Sequence, residues 1–312
     1  MALDAARELQ SISLRDEAKT AVIIGATTGI GASVAKAFAR LGCSRVVISG
    51  RDEPRAREVL RSMRESVPSD VDSQLDFVKG DLSNVKGMRG TAEAIEKLVG
   101  TAGIDYLVMC QNGMPTGTVI ENEDGASIGF AVQAVSRFAI AYLLTTRKVL
   151  TPNAVVMSVA NPGQNLDDLS VDDLSLKKRA EAGRYKLLLF LDQSKRDSTV
   201  LDSVTEEFNL RYPQYQYFHA HPGLVRSSLF ALDAFPFPLK WGVSFGLRTI
   251  GAPPDTYANI PVYVAVRPKA QARLGTSKFF DHRLAPLAMG KWATDTRNRQ
   301  MLWTKLTEML EA

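Results

Sequence analysis

The sequence predicts an α/β fold, a doubly wound parallel sheet in a single domain, and three observations carry that reading. Short apolar, β-branched runs alternate with longer helical patterns through most of the 312 residues. Parallel neighbours need a crossover connection, usually a helix, so the alternation argues for a parallel sheet covered on both faces. The first run passes through a glycine-spaced turn straight into an apolar-periodic helix. No internal repeat, low-complexity tract or long linker divides the chain.

Taken in order, strands are expected at Ala21–Ile24, Arg45–Ser49, Gln74–Val78, Tyr106–Met109, Ala154–Ser158 and Gln216–Ala220. Helices fit around Gly29–Leu41, Pro54–Ser66, Val85–Val99, Gly125–Val149 and Leu187–Asn209. Residues 1–18 precede this pattern and read as an N-terminal extension, leaving 19–312 as the domain. From Asn161 to Arg184 the chain turns polar, with Asp167-Asp168, Asp172-Asp173 and Lys177-Lys178-Arg179, and reads as a surface excursion. The segment Phe235-Pro236-Phe237-Pro238-Leu239-Lys240-Trp241 is aromatic and broken by prolines. It follows the last central strand, where open α/β sheets bind ligands, so the stretch around 226–255 reads as a substrate lid. An apolar loop packed on the core, or a membrane-touching patch, is the alternative.

Composition sets bounds on function. Apolar content of 45% with 23% charged residues is that of an ordinary globular protein. The net charge of +4 does not point to nucleic acid, because Lys and Arg are interleaved with acids along the chain. Cys43 and Cys110 lie far apart beside predicted strands and read as reduced, buried small side chains, which fits a cytoplasmic protein. The N-terminus lacks the basic lead and apolar stretch of a leader, and no run reaches the roughly 18 apolar residues of a membrane span.

The turn after the first strand carries the chemistry. Thr20–Ile24 leads into Gly25-Ala26-Thr27-Thr28-Gly29-Ile30-Gly31. Gly25 turns the chain off the strand, Gly29 lets backbone approach a pyrophosphate, and Gly31 lets the new helix pack on the sheet. The helix N-terminus then aims its N–H groups and dipole at negative charge. This is a Rossmann-type dinucleotide cradle. The second strand ends Ser49-Gly50-Arg51, with no acid at its tip to bond ribose hydroxyls. A guanidinium there can stack on adenine and pair bidentately with a 2′-phosphate, which favours NADP(H). The alternative leaves Arg51 as a cap for the helix near Pro54, or facing water.

Together these segments resemble the short-chain dehydrogenase/reductase superfamily from about Lys19 to the terminal helix. Gly25-x3-Gly29-Ile30-Gly31 matches the family's cofactor glycines, with Thr27 and Thr28 between them. Asp81-Leu82 resembles its adenine-contacting acid, and Cys110-Gln111-Asn112-Gly113 its Asn-Asn-Ala-Gly stretch. Pro222-Gly223-Leu224-Val225-Arg226-Ser227 is similar to the segment that holds the nicotinamide, with Ser227 where Thr is usual. Gly275–Phe280 and a Trp-bearing helix after it resemble the retinol-dehydrogenase-like and fungal-metabolite branches. The resemblance implies an apolar small-molecule substrate, a place in secondary metabolism, and a homodimer or homotetramer through the helices at Ile128–Leu144 and Leu187–Phe208.

The resemblance breaks at the catalytic signature. The family sets Tyr-x-x-x-Lys on one helix, where Lys holds the nicotinamide ribose and lowers the Tyr pKa. The matching stretch is Leu191-Asp192-Gln193-Ser194-Lys195, and leucine exchanges no proton. Tyr185 stands ten residues before Lys195, about 15 Å along a helix and on another face. Ser158 resembles the carbonyl-polarising serine, displaced by one strand position. Gln133 stands where a supporting Asn is common. Lys195 and Ser158 are therefore the candidate catalytic residues. No metal site is expected, since His219 and His221 lack a Cys or acid cluster to complete one. His221, beside Pro222-Gly223, is either a stand-in acid or a packed strand histidine. The leading reading is an NADP(H)-dependent oxidoreductase acting on a carbonyl, imine or alcohol. A repurposed cyclase or isomerase, and a silent NADP-binding protein, are the alternatives.

Overall fold

A computed structural model describes residues 2–226, 241–242 and 251–311. Seven parallel strands form one sheet in the order β3-β2-β1-β4-β5-β6-β7. They are β1 (Thr20–Ile24), β2 (Arg45–Gly50), β3 (Gln74–Lys79), β4 (Ile104–Met109), β5 (Leu150–Val159), β6 (Gln216–Ala220) and β7 (Phe279–Phe280). The chain steps outward from β1 to β3, returns to β4 on the other side of β1, and continues outward. That reversal opens a crevice between the carboxyl ends of β1 and β4, the place where doubly wound sheets bind ligands. Strands β1 and β4 are buried along their whole length, which is why both read as continuous apolar runs rather than alternating ones.

Helices α1 (Ala2–Leu9), α2 (Gly29–Arg40), α3 (Glu53–Arg64), α4 (Val85–Val99) and α5 (Ile128–Thr146) come first. Asp52 caps α3 by accepting from the Arg55 N–H, with Pro54 inside the first turn, and Asn84 caps α4 through the Gly87 N–H. After them come α6 (Lys177–Glu181), α7 (Lys186–Arg211), α8 (Pro254–Val266), α9 (Pro268–Arg273), α10 (Lys291–Thr294) and α11 (Thr296–Glu311). Two apolar layers flank the sheet. Val22, Ile24, Leu107, Met109 and Val156 face α4, α5, α7 and α11. Ala21, Ile23, Val108, Val155 and Met157 face α2, α3 and α8. By length and apolarity α5 would cross a membrane, yet 67% of it is buried inside the fold, as a core helix would be.

Two stretches differ from their sequence reading. Residues 2–18 do not trail free: α1 lies on α8, Ala5, Leu9 and Leu14 are buried, and the Tyr263 hydroxyl bonds Glu8. The polar excursion from Asn161 to Arg184 is pinned from beneath, because its hidden leucines 166, 169, 174 and 176 join the core. Its charge runs drew the eye to the surface, while one leucine every few residues sufficed to anchor it. Ser227 and most of the lid segment around 226–255, including residues 227–240 and 243–250, fall outside the described residues.

Candidate functional site

The glycine turn is shaped as a close-approach cradle. Gly25 sits at φ +73°, and a β-carbon there would collide with the backbone of Gln111 at the end of β4. A β-carbon on Gly31 would strike the Gly25 carbonyl, so α2 starts tight against the sheet. Thr28 ends the turn in extended conformation and places no side-chain cap on α2. The first N–H groups of this helix therefore remain for an anion, with the helix dipole behind them. At the β2 end, Gly50 leaves space that the Thr27 side chain fills, a β-carbon there lying 2.6 Å from its methyl.

Arg51 follows Gly50, is exposed, and has no ion-pair or hydrogen-bond partner among the described residues. Because Asp52 caps α3, Arg51 is not its cap. Its guanidinium is left available at the β2 tip. Asp81 turns the chain after β3 by accepting the Ser83 N–H, and Leu82 beside it is buried.

A polar brace sets the floor after β4. The fully buried Arg137 donates from Nη2 to the carbonyls of Gln111 at 2.6 Å and Val159 at 2.9 Å, tying the ends of β4 and β5 together. Burial draws its pKa down to about 10, which leaves it charged at neutral pH. Gln133 lies in a π-turn of α5 and accepts the Gly113 N–H at 2.9 Å. The wide turn is of the kind found at functional sites. It places Gln133 where the resemblance puts a supporting Asn. Asn112, between these anchors, is exposed. Among the described residues, several buried polar atoms have no partner, including Ser49 Oγ, Gln111 Oε1 and His282 Nδ1. They lie at or just beyond the carboxyl ends of their strands, β2, β4 and β7. Orphaned polar groups of this kind call for a ligand or ordered water, and they fit a dinucleotide laid across the strand tips.

Leu191 and Lys195 lie one turn apart on α7 and both are exposed, on one face near the carboxyl edge of the sheet. Ser158 does not meet them. It is the register partner of His219, and the His219 Nδ1 is 2.9 Å from Asp202 Oδ1. At the height of Ser158, α7 therefore presents Asp202, seven residues or about 10 Å down the helix from Lys195. Ser158 is buried and borders a void of about 10 Å³, the volume of one water, with Arg137 and Thr205. Strand register thus seats Ser158 about 10 Å below Lys195 along α7. Tyr185 is 81% exposed at the start of α7 and does not bend back.

The top of β6 holds a polar knot that sequence reasoning missed. Asp202 and His219 are wholly buried, and the other Asp202 oxygen accepts the N–H groups of Gly163 and Gly290, both at 3.0 Å. A carboxylate only accepts, so His219 donates from Nδ1 and its bare Nε2 is left without a partner. Burial holds the His219 pKa below its ordinary value, outweighing the pull of Asp202. Ser198 Oγ takes the Gln164 N–H and Thr199 Oγ1 the Leu166 N–H. One polar face of α7 thereby fixes the loop after β5. The signal was present in the Ser198-Thr199-x-x-Asp202 spacing, which sets three polar side chains on a helix face that is buried. Nearer its start, Gln193 accepts the N–H groups of Thr116 and Gly117 and so holds the loop after β4. Beyond β6, Pro222 and Gly223 are half-buried, and Val225 is buried and bridged to Ala252. Among the described residues no group of three metal-ligating side chains converges.

Comparison with known proteins agrees with this geometry. Residues 19–150 match the family model described as short chain dehydrogenase. The oxidoreductase AN1596 of Emericella nidulans is 27% identical over 71% of this chain and 62% of its own length. Human retinol dehydrogenase 12 is 29% identical over 68% of this chain and 63% of its own. The chain thus spans somewhat under two thirds of these relatives. A dehydrogenase/reductase from Sinorhizobium meliloti shares the fold, with a TM-score of 0.60 at 17% identity, covering 93% of this chain and 100% of that one. The match of residues 19–150, together with the glycine cradle and the strand order, makes this chain similar to the short-chain dehydrogenases, with which it shares the fold.

Proposed function

We propose that the protein binds NADP(H) across the β1–β4 crevice and interconverts an apolar carbonyl compound, or an imine, with its reduced form. The cradle at Gly25–Gly31 carries this reading, because its close-packed glycines and the uncapped start of α2 leave backbone N–H groups for a pyrophosphate. The nicotinamide, when bound, supplies the hydride donor or acceptor. On this reading the turn 25–31 holds the pyrophosphate and Arg51 engages the 2′-phosphate. Asp81 and Leu82 border the adenine, Asn112 and Gly113 form the floor, and Pro222, Gly223 and Val225 flank the nicotinamide, with Ser227 beyond. Lys195, exposed at the carboxyl edge of the sheet, holds the ribose.

The apolar substrate class is supported by Leu188 and Leu191, each 40% exposed three residues apart on α7, with Ile120 exposed on the loop after β4. An aliphatic or polyene chain laid along that stripe would remove it from water. Each fully covered leucine would contribute roughly 1.5 to 3 kcal/mol. The two cysteines are free, which fits a reducing, cytoplasmic setting.

The direct test follows NADPH absorbance against a panel of apolar aldehydes, ketones and imines, and NADP+ reduction against the matching alcohols. Cofactor-dependent turnover of at least one pair supports the reading. A second reading follows from Leu191 itself, since a leucine in place of the phenol suits a non-redox catalyst holding the cofactor as a fixed part. That reading predicts equal substrate conversion with either oxidation state and no change in absorbance.

A further inference from the structure

We propose that His221 exchanges the substrate's proton in place of the phenol missing at Leu191, with His282 as its positioning partner; this rests on the nicotinamide reading above. The chain has only three histidines, and all three gather at the carboxyl end of β6. His221 continues the ladder past β6, its N–H donating to the Phe280 carbonyl at 2.8 Å. Extended backbone alternates faces, so His221 points to the same side as His219, the side that carries α7. It stands about 7 Å above His219 on the strand, while Lys195 stands about 10 Å above Asp202 on the helix. His221 and Lys195 are thereby at neighbouring heights on one side of the sheet, as Ser158 and Lys195 are not.

The ring is held from the side. The His221 and His282 rings meet edge to face with centroids 6.4 Å apart. Gly223 takes φ +67°, and a β-carbon there would lie 2.8 Å from His282 Nδ1, so this ring packs directly on the Pro222-Gly223 segment. That Nδ1 is buried and has no partner among the described residues. Among the described residues, the charged and titratable groups facing His221 are His282, His219 and Asp281. Asp281 is engaged by the N–H groups of Arg283 and Ala285, and burial with the two neighbouring imidazoles favours the neutral ring. A neutral imidazole suits alcohol oxidation. The substrate O–H bond breaks and its proton passes to His221, while the C–H electron pair leaves as hydride to the oxidised nicotinamide, giving carbonyl product and reduced cofactor. The reverse returns hydride to carbon and the proton from imidazolium to oxygen.

Three histidines give three resolvable sets of imidazole signals, assigned by His221→Asn and His282→Asn. We would titrate the wild-type protein with pH by NMR, alone, with NADP+ and with NADPH. If His221 stands beside the reacting carbon, the positive ring of NADP+ lowers its pKa below that in the NADPH complex, by ~0.5 or more, and leaves His219 unmoved. Binding of both cofactors with identical His221 titrations overturns the proposal and spares the cofactor reading. Binding of neither removes both.

Discussion

A single β-carbon at position 25 tests the cradle at the smallest scale. Gly25→Ala would place a methyl against the Gln111 backbone at a φ that alanine disfavours. We expect NADPH affinity to fall at least ~100-fold, the cost of about 3 kcal/mol expected when backbone must shift from a phosphate. Calorimetric titration of a variant shown to be folded checks it. Histidine protonation is the second residue-scale effect. Burial holds the folded pKa of both His219 and His221 below the ordinary value near 6.5. Between the lowered folded value and 6.5 the unfolded chain binds more protons, so stability rises with pH through that window and is complete above it. Asp197, lifted by burial to about 6, acts in the opposite sense and offsets part of this slope, most strongly below pH 6. Urea unfolding should show stability declining from pH 7 to pH 6, and His219→Asn, which keeps a donor for Asp202, should flatten the slope. An unchanged slope would mean that His219 is not buried as described.

Among the elements, α7 does more than its sequence announces. Its apolar positions and its approximate ends were legible, as were β1 to β6, because the strands are short runs of β-branched, aromatic or other apolar residues and the helices between them repeat near 3.6 residues. The two-residue β7 was too short to carry a pattern. The cradle was legible as well, since strand, glycines and helix follow one another within a dozen residues. What escaped was relative height. Ser158 and Lys195 are each in a fair local context, and only strand register and helix rise reveal about 10 Å between them. The Asp202–His219 knot escaped for the same reason, since its members come from four segments. Asp202→Asn would weaken the bonds to Gly163, Gly290 and His219 at once. We expect a loss of roughly 2 to 4 kcal/mol, with faster amide exchange at Gly163 and Gly290 than at Ala21 or Val22 in β1. Uniform exchange across all four would show that Asp202 does not fix this loop.

For the molecule as a whole, the C-terminal helix decides which faces are free. Trp303 on α11 packs edge-on against Phe138 at 5.0 Å and Phe208 at 4.8 Å, with Tyr142 and Tyr212 alongside. These contacts pack α11 on the C-terminal turns of α5 and α7, the helices through which the family resemblance implies oligomers. Trp303→Ala is expected to cost about 3 to 5 kcal/mol in urea unfolding, and light scattering distinguishes a 34.1 kDa monomer from the dimer or tetramer that the resemblance implies. The cofactor itself remains the most direct test of the entire reading. Calorimetric titration with NADPH and NADH should give micromolar binding of NADPH and at least tenfold weaker binding of NADH, a difference abolished by Arg51→Ser (~1.4 kcal/mol or more). Failure of the wild-type protein to bind either nucleotide at millimolar concentration would contradict the account at its root.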